Sequence, residues 1–179
     1  MYVLPRRQAS AAAGGNAVRG EMANCPDIDA ESISALLQPL VQAGRLDYTA
    51  FARSNGRQSG EASMCRLLRC RVGPAMLPCG TEVILIEVVG TRFLRQMVRV
   101  LVATAVREAA RRAEIEKHAT SSTDRAAVAA PGAPTCGDVL LRYAQLPSEC
   151  PQLSISEIRA ATAPPAPAVG LCFADVGYE

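Results

Sequence analysis

The residues able to do chemistry here form an unusual set: nineteen basic residues of which only Lys117 is a lysine, seven cysteines, and His118 as the single histidine. The cysteines (Cys25, Cys65, Cys70, Cys79, Cys136, Cys150 and Cys172) are odd in number and contain no C-x-x-C pair. Structural zinc needs four convergent Cys or His ligands, usually in close pairs, so no metal site is expected. A secreted disulfide framework calls for an even count and a signal peptide, and neither is present, so reduced thiols inside the cell are the expected state. One histidine in a Ser/Thr/Ala-rich stretch also argues against a catalytic histidine or a Cys-His couple. What remains is arginine, whose planar fork suits phosphates, carboxylates and base edges and stacks on flat rings. Arginine abundance alone decides nothing, because a GC-rich coding sequence produces it too.

The composition sets bounds on the rest. A chain of 179 residues with a net charge of +2 suits one domain with tails and is far from the charge of a non-specific polyanion binder. Nominal hydrophobicity is 49%, but 31 residues are alanine and only 4% are aromatic, so the core must come from a modest set of Leu, Ile, Val, Met and Phe. No apolar run approaches eighteen residues, which excludes a membrane-spanning helix.

The elements that must position the arginines can be read from periodicity. Residues 1–26 read as an irregular arm, with Arg6, Arg7 and Arg19 ahead of the first acid, Glu21. Such a start resembles an organellar transit peptide without a clear amphipathic face; mitochondrial, cytoplasmic and nuclear locations all stay open. A helix is expected from an N-cap at Asp29, with Ile33, Leu36, Leu37, Leu40 and Val41 on one face, a kink or early end at Pro39, and Gly44 closing the unit. Met64–Val72 and Glu82–Val89 read as an antiparallel hairpin joined by a long loop from Gly73 to Gly80. A second helix, capped by Thr91, would bury Phe93, Leu94, Met97, Val98, Leu101, Ala105 and Ala109, with Arg92, Arg95 and Arg99 on another face. The stretch from about 116 to 135 is polar and rich in Ala, Ser, Thr and Pro, and reads as a surface insertion. A short helix over Asp138–Leu146, a helix opened by the capping box Ser154-Ile155-Ser156-Glu157 and stopped by Pro164 and Pro165, and a final strand over Gly170–Tyr178 complete the order. That order predicts an α+β fold: a mainly antiparallel sheet with helices packed on one face.

Three segments, in order, Asp47-Tyr48-Thr49-Ala50-Phe51, Phe93-Leu94-Arg95-Gln96-Met97-Val98-Arg99 and Ala166-Pro167-Ala168-Val169-Gly170-Leu171, resemble the C-terminal half of the TruA family of RNA pseudouridine synthases. The first resembles the family's D-F-x-x-F, with Tyr for the first Phe. The second matches F-L-x-x-M-V-R, and the third matches A-P-A-x-G-L. The likeness covers residues 27–179, leaving 1–26 as the arm. It implies an intramolecular isomerase that detaches uracil from C1′ of a uridine in tRNA or other structured RNA, such as rRNA, turns it and rejoins it through C5, with no cofactor. It also implies that Arg99 is the partner that keeps the catalytic aspartate ionised, against a desolvation that would neutralise it. Arg92 and Arg95 would then contact RNA, and Met97, Gly170 and Leu171 would line the uracil pocket; core packing accounts for Met97 equally well.

The family's aspartate lies in an R-T-D-A-G-V-H motif that does not occur in these 179 residues, and its stacking tyrosine is likewise missing. Thr123-Asp124 is followed by Arg125 and Ala126 and does not stand in for it. Ala103 and Ala109 occupy helix positions where the family favours glycine. Two readings follow. In one, the chain is the C-terminal portion of a synthase whose acid comes from a further segment or a second chain. In the other, it is an inactive relative that binds RNA or a ribonucleoprotein as a structural or assembly factor. Either way an exposed sheet edge or face, and with it a partner chain or a dimer, is expected.

Overall fold

A computed structural model describes residues 1–5, 28–53, 60–121 and 138–172. Four strands, β1 (Tyr2–Pro5), β2 (Arg45–Asp47), β3 (Met64–Met76) and β4 (Glu82–Gly90), form one antiparallel sheet in the order β1-β4-β3-β2. Helices α1 (Ala30–Gln42), α2 (Met97–Ser121), α3 (Asp138–Glu149) and α4 (Ile155–Ala160) accompany it, α1 lying against β3 and contacting α2 and α3. The α+β class read from the sequence is the class observed. Among the described residues no helix is long and apolar enough to cross a membrane.

Helix α1 begins where its cap predicts. The Asp29 carboxylate accepts from the Ser32 backbone N–H, and Ile33, Leu36, Leu37 and Leu40 are buried. Pro39 does not end it. The helix continues to Gln42 and closes at Gly44, whose φ of +77° is the left-handed conformation that glycine adopts at little cost. The apolar stripe on either side of Pro39 is fully buried, and that burial outweighs the one hydrogen bond the ring removes.

The hairpin is longer and its loop shorter than expected. Ladder pairing extends through Gly73↔Leu85, Pro74↔Ile84 and Met76↔Glu82, so only Leu77–Thr81 connects the strands, with Gly80 at φ +78°. A β-bulge between Leu67 and Arg69 leaves Leu68 as the extra residue, half-exposed. Two strands were not anticipated. β2 is a three-residue edge strand, too short to show alternation. β1 comes from the stretch read as an irregular arm, where Tyr2, Val3, Leu4 and Pro5 pair with Ile86, Leu85, Ile84 and Val83. An exposed sheet edge or face was expected; the edge of β4 is covered by the chain's own first residues.

Helix α2 starts at Met97 and not after Thr91. Gln96 adopts φ +60°, outside the right-handed helical region, and Thr91 is engaged elsewhere: its N–H donates to Arg66 O and its hydroxyl accepts from the Arg66 N–H. Arg92, Phe93 and Arg95 thus stand on the β4–α2 loop, not on the helix. At its far end α2 runs on to Ser121, into the stretch read as a surface insertion. The rest of that insertion, and Phe173–Tyr178 of the expected final strand, lie outside the described residues. Where that strand was expected to begin, a single turn (Ala168–Gly170) is followed by a bridge from Leu171 to Tyr2. The capping box at Ser154 is complete in both directions, and α4 ends at Ala160, before the two prolines.

Two expectations follow from the core. Tyr48 is fully buried, and its hydroxyl has no hydrogen-bond partner among the described residues, so burial pushes its pKa upward. Tyr48→Phe is expected to raise stability by about 1 kcal/mol, read as a rise of about 2–4 °C in melting temperature. Burial also pushes the Cys70 thiol up to about 12, with Glu87 acting in the same direction, whereas exposed Cys79 is lowered by its hydrogen bonding with the Thr81 side chain and backbone. Iodoacetamide near pH 8 is expected to alkylate Cys79 well before Cys70. The folded chain keeps the Cys70 proton that the unfolded chain loses, so Cys70 erodes stability as pH rises from about 9 towards 12.

Candidate functional site

The site is built where the first half of α2 meets the chain between Ala161 and Gly170. Three polar residues of α2, otherwise an apolar helix here, hold that segment in order. The Arg107 Nη2 donates to Ala161 O at 2.7 Å, the Ala163 N–H donates to Thr104 Oγ1 at 3.0 Å, and the Ala166 N–H donates to Arg99 O at 3.2 Å. Residue numbers fall along α2 as they rise along the segment, so the two run antiparallel. Thr104 is fully buried and donates back to Val100 O at 2.7 Å, which leaves its lone pairs for the Ala163 amide.

Arg53 fixes the same segment from the other side. Its Nη1 donates to Ala50 O at 2.9 Å and Ala52 O at 3.1 Å. Its Nη2 reaches Thr162 Oγ1 at 2.8 Å and Ala163 O at 3.1 Å. The Arg53 N–H also donates to Arg95 O at 3.0 Å. Burial, then the nearby Arg159 charge, lowers the pKa of Arg53, yet several oxygens around the guanidinium keep it well solvated by protein. Behind this, buried Glu108 accepts from Arg107, Arg111 and the Tyr143 hydroxyl, joining α2 to α3.

Arg99 stands in the first turn of α2, half-buried, with Nε donating to Ala166 O at 2.6 Å. It makes no ion pair with a carboxylate among the described residues. Its charge is felt by Tyr2, a fully buried residue of β1 whose hydroxyl donates to Pro167 O at 2.7 Å. Gly170 packs directly over that ring: a Cβ there would lie 2.7 Å from Val3 O and 2.8 Å from Tyr2 Cζ. The glycine is therefore required by close approach of β1. Leu171 is partly exposed beside Tyr2.

Of the residues singled out in the sequence, Arg99, Gly170 and Leu171 come together around Tyr2 and Pro167. Met97 is fully buried in the main core, where packing accounts for it. Arg92 and Arg95 are exposed on the loop ahead of α2. An opening of about 240 Å³ lies elsewhere, between the start of α1 and Ala109–Glu116 of α2. At about 1.5 Å per residue it is at least ~15 Å along the helix from Arg99.

A family model for tRNA pseudouridine synthase matches residues 43–144, more than half of the chain. The chain belongs to that family. The match takes in the Asp47–Phe51 turn and the Phe93–Arg99 segment; Ala166–Leu171 lies beyond it, tied to the matched region by the α2 hydrogen bonds. None of the curated proteins matches the chain.

Arg53, Thr104, Thr162 and Tyr2 were missed by sequence reasoning. A lone hydroxyl at position 104, on the apolar side of a helix, was the available signal; Arg53 lies two residues past the motif and carried none. Arg53→Ala is expected to lower stability by about 2–3 kcal/mol in a denaturant titration, since it leaves Ala163 O and other acceptors without their charged donor. Arg53→Lys, with one point charge in place of a fork, is expected to recover less than half of that.

Proposed function

We propose that this pseudouridine synthase-like chain supplies the arginine-bearing wall of a uridine-isomerising site acting on tRNA or other structured RNA, with the acid supplied from outside these 179 residues. The observation that carries the reading is Arg99. Its Nε is held by Ala166 O, which aims the guanidinium, while its charge has no carboxylate among the described residues. A half-buried cation in that state favours ionisation of any acid brought against it, and an ionised, aimed aspartate is what the family's chemistry requires. Gly170 and Leu171 lie against Tyr2, whose buried ring sits near the arginine.

The second reading, an inactive RNA- or ribonucleoprotein-binding scaffold, is favoured by one feature. β1 pairs along the edge of β4 and Tyr2 packs under Gly170, so the chain covers this edge of its sheet with its own residues.

Tritium release from RNA carrying 5-³H-uridine separates the two. The chain alone is expected to release none. Mixed with a separately expressed family lobe bearing R-T-D-A-G-V-H, it is expected to release tritium, and Arg99→Ala to abolish that release. Release by the unaccompanied chain would overturn the requirement for an outside acid. No release with the lobe, while RNA binding persists, would favour the scaffold.

A further inference from the structure

The loop from Thr91 to Gln96 and the bulged strand beside it form a second feature that Arg99 does not explain. Arg66, Arg92 and Arg95 are exposed and make no ion pair among the described residues, in contrast to Arg69 and Arg71, which share Glu87. Arg66 sits directly opposite Arg45 in the β2–β3 ladder, a like-charge cross-strand pair that costs stability unless an anion offsets it. Glu61 offsets Arg45 and leaves Arg66 uncompensated. Arg92 belongs to the same neighbourhood, since its charge and that of Arg45 both act on the Cys65 thiol.

Two apolar side chains of the same loop and strand are exposed. Phe93 is 40% exposed and Leu68, the extra residue of the bulge, 50% exposed. The Phe93 ring and the Arg66 backbone meet at Gly90. A Cβ on Gly90 would lie 3.1 Å from Arg66 O and 3.2 Å from Phe93 Cε1, so the glycine lets the ring settle against the backbone of Arg66. Leu94 is buried and anchors the loop, and Gln96 at φ +60° turns it away from a helical path that would carry Phe93 off this surface.

We infer that Arg66, Arg92 and Phe93, with Arg95 and Leu68 at the margin, form a docking surface for single-stranded RNA: the guanidinium groups take phosphates, and an unstacked base lies on the Phe93 ring. Cations around an exposed ring are the pattern by which single strands are held without sequence preference, and a duplex, with its bases already stacked, gains nothing from the ring. This inference rests on the RNA reading above and names which surface outside the Arg99 wall carries the strand.

The test is fluorescence anisotropy with a labelled twelve-nucleotide oligouridine and a duplex RNA of equal length, across a salt series. Tighter binding of the single strand is expected. Phe93→Ala is expected to weaken it roughly five- to one-hundred-fold, with Phe93→Tyr restoring it. Arg66→Ala and Arg92→Ala should each reduce the slope of log affinity against log salt by about 0.7, while exposed Arg142→Ala on α3 leaves both readouts unchanged. All four substituted positions are exposed, and unchanged thermal melts exclude unfolding as the cause. Wild-type binding that none of the three alanine variants at Phe93, Arg66 and Arg92 weakens would overturn this surface and leave the RNA reading standing. Failure of the wild type to bind either RNA would overturn both. Loss of binding to poly-glutamate competitor, with no effect of Phe93→Ala, would assign the surface to an acidic protein instead.

Discussion

Everything around Arg99 depends on α2 holding an irregular segment as though it were a strand. Residues 161–167 contain three of the chain's alanines and three of its prolines, with little side chain to bury and few amide hydrogens to form a ladder. Such a segment cannot fix its own position. It is fixed by donors and acceptors from its neighbours: Arg107 on Ala161, Thr104 on Ala163, Arg53 on Thr162 and Ala163, and the Arg99 backbone on Ala166. Because Thr104 is fully buried and Thr162 nearly so, these bonds act without competition from water, and a lost partner leaves a buried polar group unsatisfied. The Arg99 side chain is the last rung of this arrangement, and its direction is inherited from the others.

The same logic explains what the sequence could and could not disclose. Asp29, the Ser154 capping box and the two hairpin strands were legible because each is a local rule, satisfied within a few residues. The start of α2 was misread because an apolar period continues from Phe93 through Ala109, while the decision to begin at Met97 rests on Gln96 taking a left-handed φ and Thr91 pairing with Arg66, 25 residues earlier in the chain. Strand β1 was illegible for a related reason. Tyr2–Pro5 has no alternation long enough to read, and its place is set by β4 and by Gly170, far away in sequence. Arg99 was recognisable from its motif. Its support was not, since Arg53, Thr104 and Thr162 act through long-range bonds that no spacing announces.

Belonging to the pseudouridine synthase family gives the arrangement its meaning. The site wall proposed above, an aimed cation with a glycine that permits close backbone approach and a partly exposed leucine, needs rigidity more than it needs many functional groups. The Glu108 cluster supplies part of that rigidity by joining α2 to α3, so that the helix presenting Arg99 is braced at its middle as well as at its first turn. The exposed arginines of the β4–α2 loop are attached to the same frame through the Arg53 N–H and Arg95 O, which links the outer surface to the wall.

The most direct measurement of this account is amide hydrogen exchange at Ala163 and Ala166 in the wild type and in Arg53→Ala. Both amides are expected to be protected to nearly the level of Leu101 and Ala105 in the wild type. In the variant both should lose that protection together while α2 keeps its own. Exchange of Ala163 and Ala166 at the rate of an exposed loop in the wild type would contradict the claim that α2 and Arg53 hold this segment, and with it the assignment of Arg99 as an aimed group.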